Sequence, residues 1–189
     1  LFGLLALLAW CRPLLTGRAL FYDVLYKFFF PNQEFFRQAV LSGSLPLWNP
    51  HIYSGVPFMA NLQSAVFYPF TYLSLILNFQ WTTLLNTWAH TALAGIFMHA
   101  FARNMGLSRS AACASGVAFS LNGNFLLRYA FPSHFYGYIW LPLILLAGFK
   151  KELELRQAWL LGASAMALQL FSGHPQYLLY SIFACGLCA

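Results

Sequence analysis

The feature that most constrains this chain is a long loop rich in polar and aromatic residues, 16–64, set between stretches so apolar that they read as membrane spans. The loop carries Asp23 and Glu34, and the whole chain has only 4 acidic residues. A carboxylate beside a bilayer is costly unless it has a partner or a task, so the functional reading starts at Asp23.

Composition gives the spans their weight. The chain is 60% hydrophobic and 7% charged, with a mean hydropathy of +0.64, whereas soluble domains carry about a quarter charged residues. The expected fold is all-α: a polytopic transmembrane helical bundle with a long outer first loop containing interfacial helices. The chain begins at Leu1 and ends at Ala189 inside an apolar run, which reads as part of a longer protein. Residues 1–15 lack the basic start and small-residue cleavage site of a signal peptide and read as a shortened span. The formal charge of +6 is scattered between apolar segments rather than lining one face, which argues against a nucleic-acid partner. Cys185-x-x-Cys188 alone is a weak metal or redox signal, and packed thiols are the commoner reading.

A spanning helix needs about 20 apolar residues. Residues 81–102, 110–127, 135–149, 157–171 and 176–189 qualify or come close, and with 1–15 they make one transmembrane domain. Arg103 and Arg109 flank one connection and Lys150, Lys151 and Arg156 fill another, while the turns between hold only Arg128. Basic short loops stay in the cytoplasm, which puts the loop 16–64 outside. The stretch 66–80 offers only about ten apolar residues after Pro69, about 15 Å of helix, so it reads as interfacial or re-entrant. Within the long loop, Pro31 is placed to open a helix and Gly43 to close it. Its stripe of Phe35, Phe36, Ala39 and Val40 faces away from Gln33, Glu34, Arg37 and Gln38, as an interfacial helix requires. The prolines at 46, 50 and 57 then exclude regular helix.

Asp23 has apolar neighbours on both sides, which predicts a partly desolvated carboxylate, the state that suits a general base. The alternative is an Asp that caps a helix or pairs with Lys27. Glu34 has Arg37 three residues on, a common i,i+3 pair. Arg128, His134 and His174 fall at the outer ends of different spans, on the side assigned to Asp23, where converging cations could receive a lipid phosphate. They could equally snorkel or cap helix ends. His90 and His99 are at the wrong interval for a shared metal and are expected to pack. There is no HExxH, no GxSxG and no phosphate-cradling glycine loop. A hard divalent ion wants several oxygen ligands. Glu152 and Glu154 lie in the opposite loop, so no metal site and no cofactor is expected; a divalent ion stays open but without support.

The ordered series Asp23, Gly43-x-Leu45-Pro-Leu-Trp-Asn-Pro50, Gly55-x-Pro57, Asn61-x-Gln63 and Phe67-Tyr-Pro69 resembles the first outer loop of bacterial YfhO-type membrane proteins. Arg103-x-x-Gly106-Leu-Ser-Arg109, Phe119-Ser-x-x-Gly123, Trp140-Leu-Pro142 and Gly173-His-Pro-Gln176 continue the resemblance over nearly the whole chain. Asn122-Gly-Asn124 departs from the Ser-Gly pair common in relatives. The resemblance implies a GT-C-like glycosyltransferase in the bacterial cytoplasmic (inner) membrane, multi-pass, its first long loop outside. Such an enzyme moves a sugar from a polyprenyl-phosphate carrier to a cell-envelope acceptor, so its implied partners are the lipid bilayer and the polyprenyl-phosphate-linked sugar. Asp23 matches the first-loop aspartate expected to act as base, with Glu34 a second candidate catalytic carboxylate. Arg128, His134, His174, Gln176, Trp48, Asn49, Gln63 and Tyr68 are the candidate substrate-binding residues. The other class that fits is a non-catalytic lipid-binding or transport protein.

Overall fold

The computed structural model describes residues 1–16, 22–149 and 154–188. Expectations that fall on Lys150, Lys151 and Glu152, and on the Cys188 side chain, lie outside the described residues.

Helices dominate: α1 (Phe2–Ala9), α2 (Cys11–Thr16), α3 (Phe30–Leu41), α4 (Phe79–Asn104), α5 (Arg109–Ser120), α6 (Gly123–Leu127), α7 (Pro132–Tyr138), α8 (Leu141–Phe149), α9 (Leu155–Phe171) and α10 (Pro175–Cys188). A π-helical turn, Leu25–Phe29, leads into α3, and a 3-10 helix covers Pro69–Leu75. One antiparallel pair, β1 (Trp48–Asn49) with β2 (Val56–Pro57), aligns Trp48 with Pro57 and Asn49 with Val56.

This architecture corrects the expected polytopic transmembrane bundle. Among the described residues no helix is long and apolar enough to cross a membrane. At 1.5 Å per residue, the apolar helices α8 and α9 reach only about 14 and 26 Å, against a hydrocarbon core of about 30 Å. The expected span 110–127 breaks at Asn122, whose side chain caps α6 by accepting from the Phe125 amide at 2.8 Å. The expected span 135–149 breaks between Tyr138 and Leu141. α4 is long enough at 26 residues, but one face is polar: Thr82, Thr83, Asn86, Thr87, His90 and Thr91 are all buried. The expected residence in a bacterial inner membrane, multi-pass with the first loop outside, rested on those spans and is corrected with them.

The polar face of α4 is satisfied largely from within. Thr83, Thr87 and Thr91 each donate to the carbonyl four residues back at 2.7–2.8 Å, the bond that lets a buried threonine sit in a helix. Thr91 also accepts from the Trp10 indole at 3.0 Å. Where α4 meets α5, a Cβ at Gly116 would lie 2.7 Å from the Gly95 carbonyl oxygen and 2.6 Å from the Phe2 ring. Two glycines therefore let the helices approach while Phe2 of α1 wedges beside them. The main core gathers Tyr68, Phe125, Phe135, Ile139, Trp140 and Ile144. A smaller one, Phe36, Phe58 and Val66, fastens α3 and the β pair to the body.

Candidate functional site

Two adjoining features stand out, a cationic cluster and an uncharged cleft, and the same backbone turns build both. α9 ends at Phe171 with Ser172 as its C-cap, Gly173 follows with φ +103° and Pro175 opens α10. A Cβ at position 173 would lie 2.8 Å from the Leu62 carbonyl oxygen and 3.2 Å from both the Gln63 Cα and the Ser133 Cβ. Only glycine fits there, and it brings three distant segments into contact. The turn is anchored to α7 by Gln169, whose amide donates to the Gly137 carbonyl at 3.0 Å, and is tightened on α9 by Ser172, which donates to the Gln169 carbonyl at 2.6 Å.

On one side of this junction Arg128 donates to His134 Nδ1 at 3.1 Å. A guanidinium can only donate, so His134 is neutral there with its proton on Nε2. The His134 and His174 rings lie 3.7 Å apart between centroids, and Tyr177 meets both at its edge. His174 Nε2 pairs with Gln176 Oε1 at 3.2 Å, and Gln176 in turn donates to the Tyr180 hydroxyl. Burial, then the neighbouring His174 and Arg128, pushes the His134 pKa from 6.5 down to about 4. Arg128, His134, His174 and Gln176 are thus brought together from two segments, 128–134 and 174–176.

On the other side lies a cleft lined by Gln63, Thr83, Asn86, Ser133, Tyr136 and Ser172, with Phe29 and Phe79 at its walls. It offers about 50 Å³ to the centres of water-sized groups, where one water needs about 10–15 Å³. Sequence reasoning named only Gln63 among these residues. The missed signal was the recurrence of polar residues every four positions along α4, at 82, 86 and 90, which places them on one helical face.

The other sequence candidates sit elsewhere. Asp23 precedes the π-helical turn and forms an ion pair with Lys27 at 2.9 Å, its side chain 64% exposed. That corrects the expected desolvated carboxylate. Its neighbour Tyr22 packs on Phe131, which meets the His134 ring at 5.7 Å, so the Asp23 segment borders the cationic cluster. Glu34 accepts from Gln38 at 2.9 Å and pairs with Arg37 at 3.8 Å on α3. Trp48 and Asn49 build the β pair, where Asn49 Oδ1 accepts from the His51 amide at 2.9 Å. Tyr68 is fully buried and bonds His90 Nε2 at 2.6 Å, while His90 Nδ1 bonds the Asn86 carbonyl at 2.7 Å. Burial raises the Tyr68 pKa well above 10 and lowers that of His90 from 6.5 to about 3. Both remain neutral, and the pair is a core contact. Among the described residues no group of three His, Cys, Asp or Glu side chains could hold a metal ion.

No protein-family model, curated protein or solved structure matches the chain.

Proposed function

We propose that this chain is a glycosyltransferase that takes a sugar from a polyprenyl-phosphate carrier and transfers it to a hydroxyl of a cell-envelope acceptor. The observation that carries the reading is the meeting of Arg128 and His134, six residues apart, with His174 from the α9–α10 turn in one cluster. Such a cluster suits a phosphate, because a guanidinium and imidazole N–H groups can bond several of its oxygens at once. An apolar stripe begins beside it: Tyr180, Phe183 and Leu187 are 54%, 61% and 88% exposed along α10. A phosphate at the cluster with a prenyl tail along that stripe accounts for both.

In the proposed reaction the acceptor oxygen attacks the anomeric carbon and passes its proton to Asp23. The bond from that carbon to the phosphate oxygen breaks, and the phosphate leaves with the electron pair. Arg128 and His134 stabilise the charge that develops there. Asp23 must first give up Lys27, an exposed pair that costs little to open.

One observation favours a second reading, a non-catalytic lipid-binding or transport protein: the Asp23 carboxylate is exposed and already neutralised by Lys27. The deciding measurement is transfer of labelled sugar from a panel of polyprenyl-phosphate donors. Transfer that depends on Arg128 supports the enzyme. Donor binding without transfer by any member of the panel moves the assignment to the second reading.

A further inference from the structure

The cleft contains an unusual deficit. Asn86 and Ser133 both line it, both residues are 3% exposed, and neither Asn86 Oδ1 nor Ser133 Oγ has a hydrogen-bond partner, so a turn of either side chain would offer an unpaired oxygen to the cleft. The Tyr136 hydroxyl is close enough to sense the Asn86 amide, yet it does not reach the geometry of a bond to Oδ1. Each unpaired buried polar atom costs about 1–3 kcal/mol, and two of them belong to residues that line this one cleft. Both can bond hydroxyl groups: Ser133 as donor or acceptor, Asn86 Oδ1 as acceptor.

The character of the ligand follows from the rest of the lining. No charged side chain lines the cleft among the described residues. A carboxylate or ammonium entering it would lose hydration without gaining an opposite charge, a much larger penalty than for a hydroxyl. Phe29 and Phe79 add apolar surface to the lining, suited to the C–H face of a ring. The space of about 50 Å³ admits about three to five hydroxyl-sized groups rather than a whole ring, so the hydroxyl edge enters while the ring stays at the mouth.

We propose that this cleft binds the hydroxyl edge of a neutral sugar through Asn86 and Ser133, and that it excludes uronic acids and amino sugars. Its place beside the cationic cluster makes it the subsite for the donor's sugar, an assignment that rests on the reading in the preceding subsection. Ser133 and His134 are consecutive, and Ser172 and His174 flank Gly173, so cleft and cluster share two short segments. A sugar and the phosphate attached to it fit that adjacency.

The test is saturation-transfer NMR on the full chain with methyl glucoside, methyl glucuronide and methyl glucosaminide, with dimethyl phosphate as a separate probe for the cluster. Methyl glucoside should bind and the two charged glycosides should not. Ser133→Ala should weaken glucoside binding about 2- to 10-fold without lowering the melting temperature, since it removes a hydroxyl that has no partner. Asn86→Ala should weaken glucoside binding as well. Arg128→Gln should abolish dimethyl phosphate binding and leave the glucoside bound. Absence of glucoside binding, equal binding by Ser133→Ala, or glucuronide binding as strong as glucoside would overturn the cleft as a neutral-sugar site. Glucoside binding by a protein that never binds dimethyl phosphate would support the cleft but overturn the phosphate reading and the donor assignment with it.

Discussion

His134 and His174 stack with 3.7 Å between ring centroids and an interplanar angle of 31°. Burial, with His174 this close and Arg128 donating to His134 Nδ1, disfavours the protonated form of His134. His134 therefore enters the free protein neutral, its pKa lowered from 6.5 to about 4 by burial, His174 and Arg128.

A bound phosphodiester would reverse those charge effects and draw a proton onto His134. Proton uptake on binding means that affinity rises as pH falls. The expected outcome is tighter binding of a phosphodiester, whose own charge is constant in this range, as pH falls from about 6.5 toward about 4. His134→Gln should flatten this dependence. Titration calorimetry in buffers of different ionisation enthalpy reads the proton count directly; zero uptake would show that His134 takes no part.

The fold should be acid-sensitive through His90. Its pKa in the fold is about 3, below the ordinary 6.5, because burial disfavours the imidazolium. Between these values the unfolded chain binds a proton that the folded chain does not. Stability is thus fully present above about pH 6.5 and is lost as pH falls toward about 3, and His134 adds a loss of the same sign. His90→Gln should lower the melting temperature at neutral pH, since the Tyr68 hydroxyl loses its partner at a cost of about 1–3 kcal/mol. The same variant should show a shallower decline between neutral and acid pH. Parallel melting curves for the two proteins would argue against the assignment.

The amphipathic helix after Pro31 was legible because its punctuation is local: Pro31 stands in the first turn of α3 and Gly43, at φ +76°, follows its end. The helix breaks were not, because hydropathy summed across 110–127 runs straight through Asn122, whose effect is a single capping bond. Apolar content overstated span length for the same reason, being divided among short helices. The polar face of α4 was hidden because threonines that bond their own helix look like ordinary polar residues in a window average. Tyr68 read as a motif residue because a sequence cannot show that His90, 22 positions on, occupies its hydroxyl.

Gly173 should be intolerant of substitution. It combines φ +103° with a 2.8 Å approach of any Cβ to the Leu62 carbonyl oxygen. Gly173→Ala is expected to cost about 1–3 kcal/mol, because the backbone oxygen cannot swing aside as a side chain could. Ser133 and Gln63 would move with it, so both glucoside and phosphodiester binding should fall. Gly148→Ala, in α8 where a Cβ meets nothing within 4 Å, serves as the control. Equal melting temperatures for the two variants would refute the close packing at this turn.

Asp23 and Lys27 provide the sharpest separation of catalysis from packing. Their ion pair is exposed, with side chains 64% and 76% accessible, so its loss should change stability by no more than about 1 kcal/mol. If Asp23 serves only to pair with Lys27, Asp23→Asn and Lys27→Gln should behave alike and leave sugar transfer near wild type. If Asp23 is the base, Asp23→Asn should lower transfer by about 10²- to 10⁴-fold, while Lys27→Gln, which frees the carboxylate, should keep transfer or increase it. Glu34→Gln should do far less, because Glu34 is held by Gln38 and Arg37 on α3. The measurement is the initial rate of labelled-sugar transfer at matched protein level, with donor binding followed in parallel. A full rate in Asp23→Asn would remove Asp23 from the chemistry, whereas a lost rate with donor binding retained would assign it to the proton-transfer step.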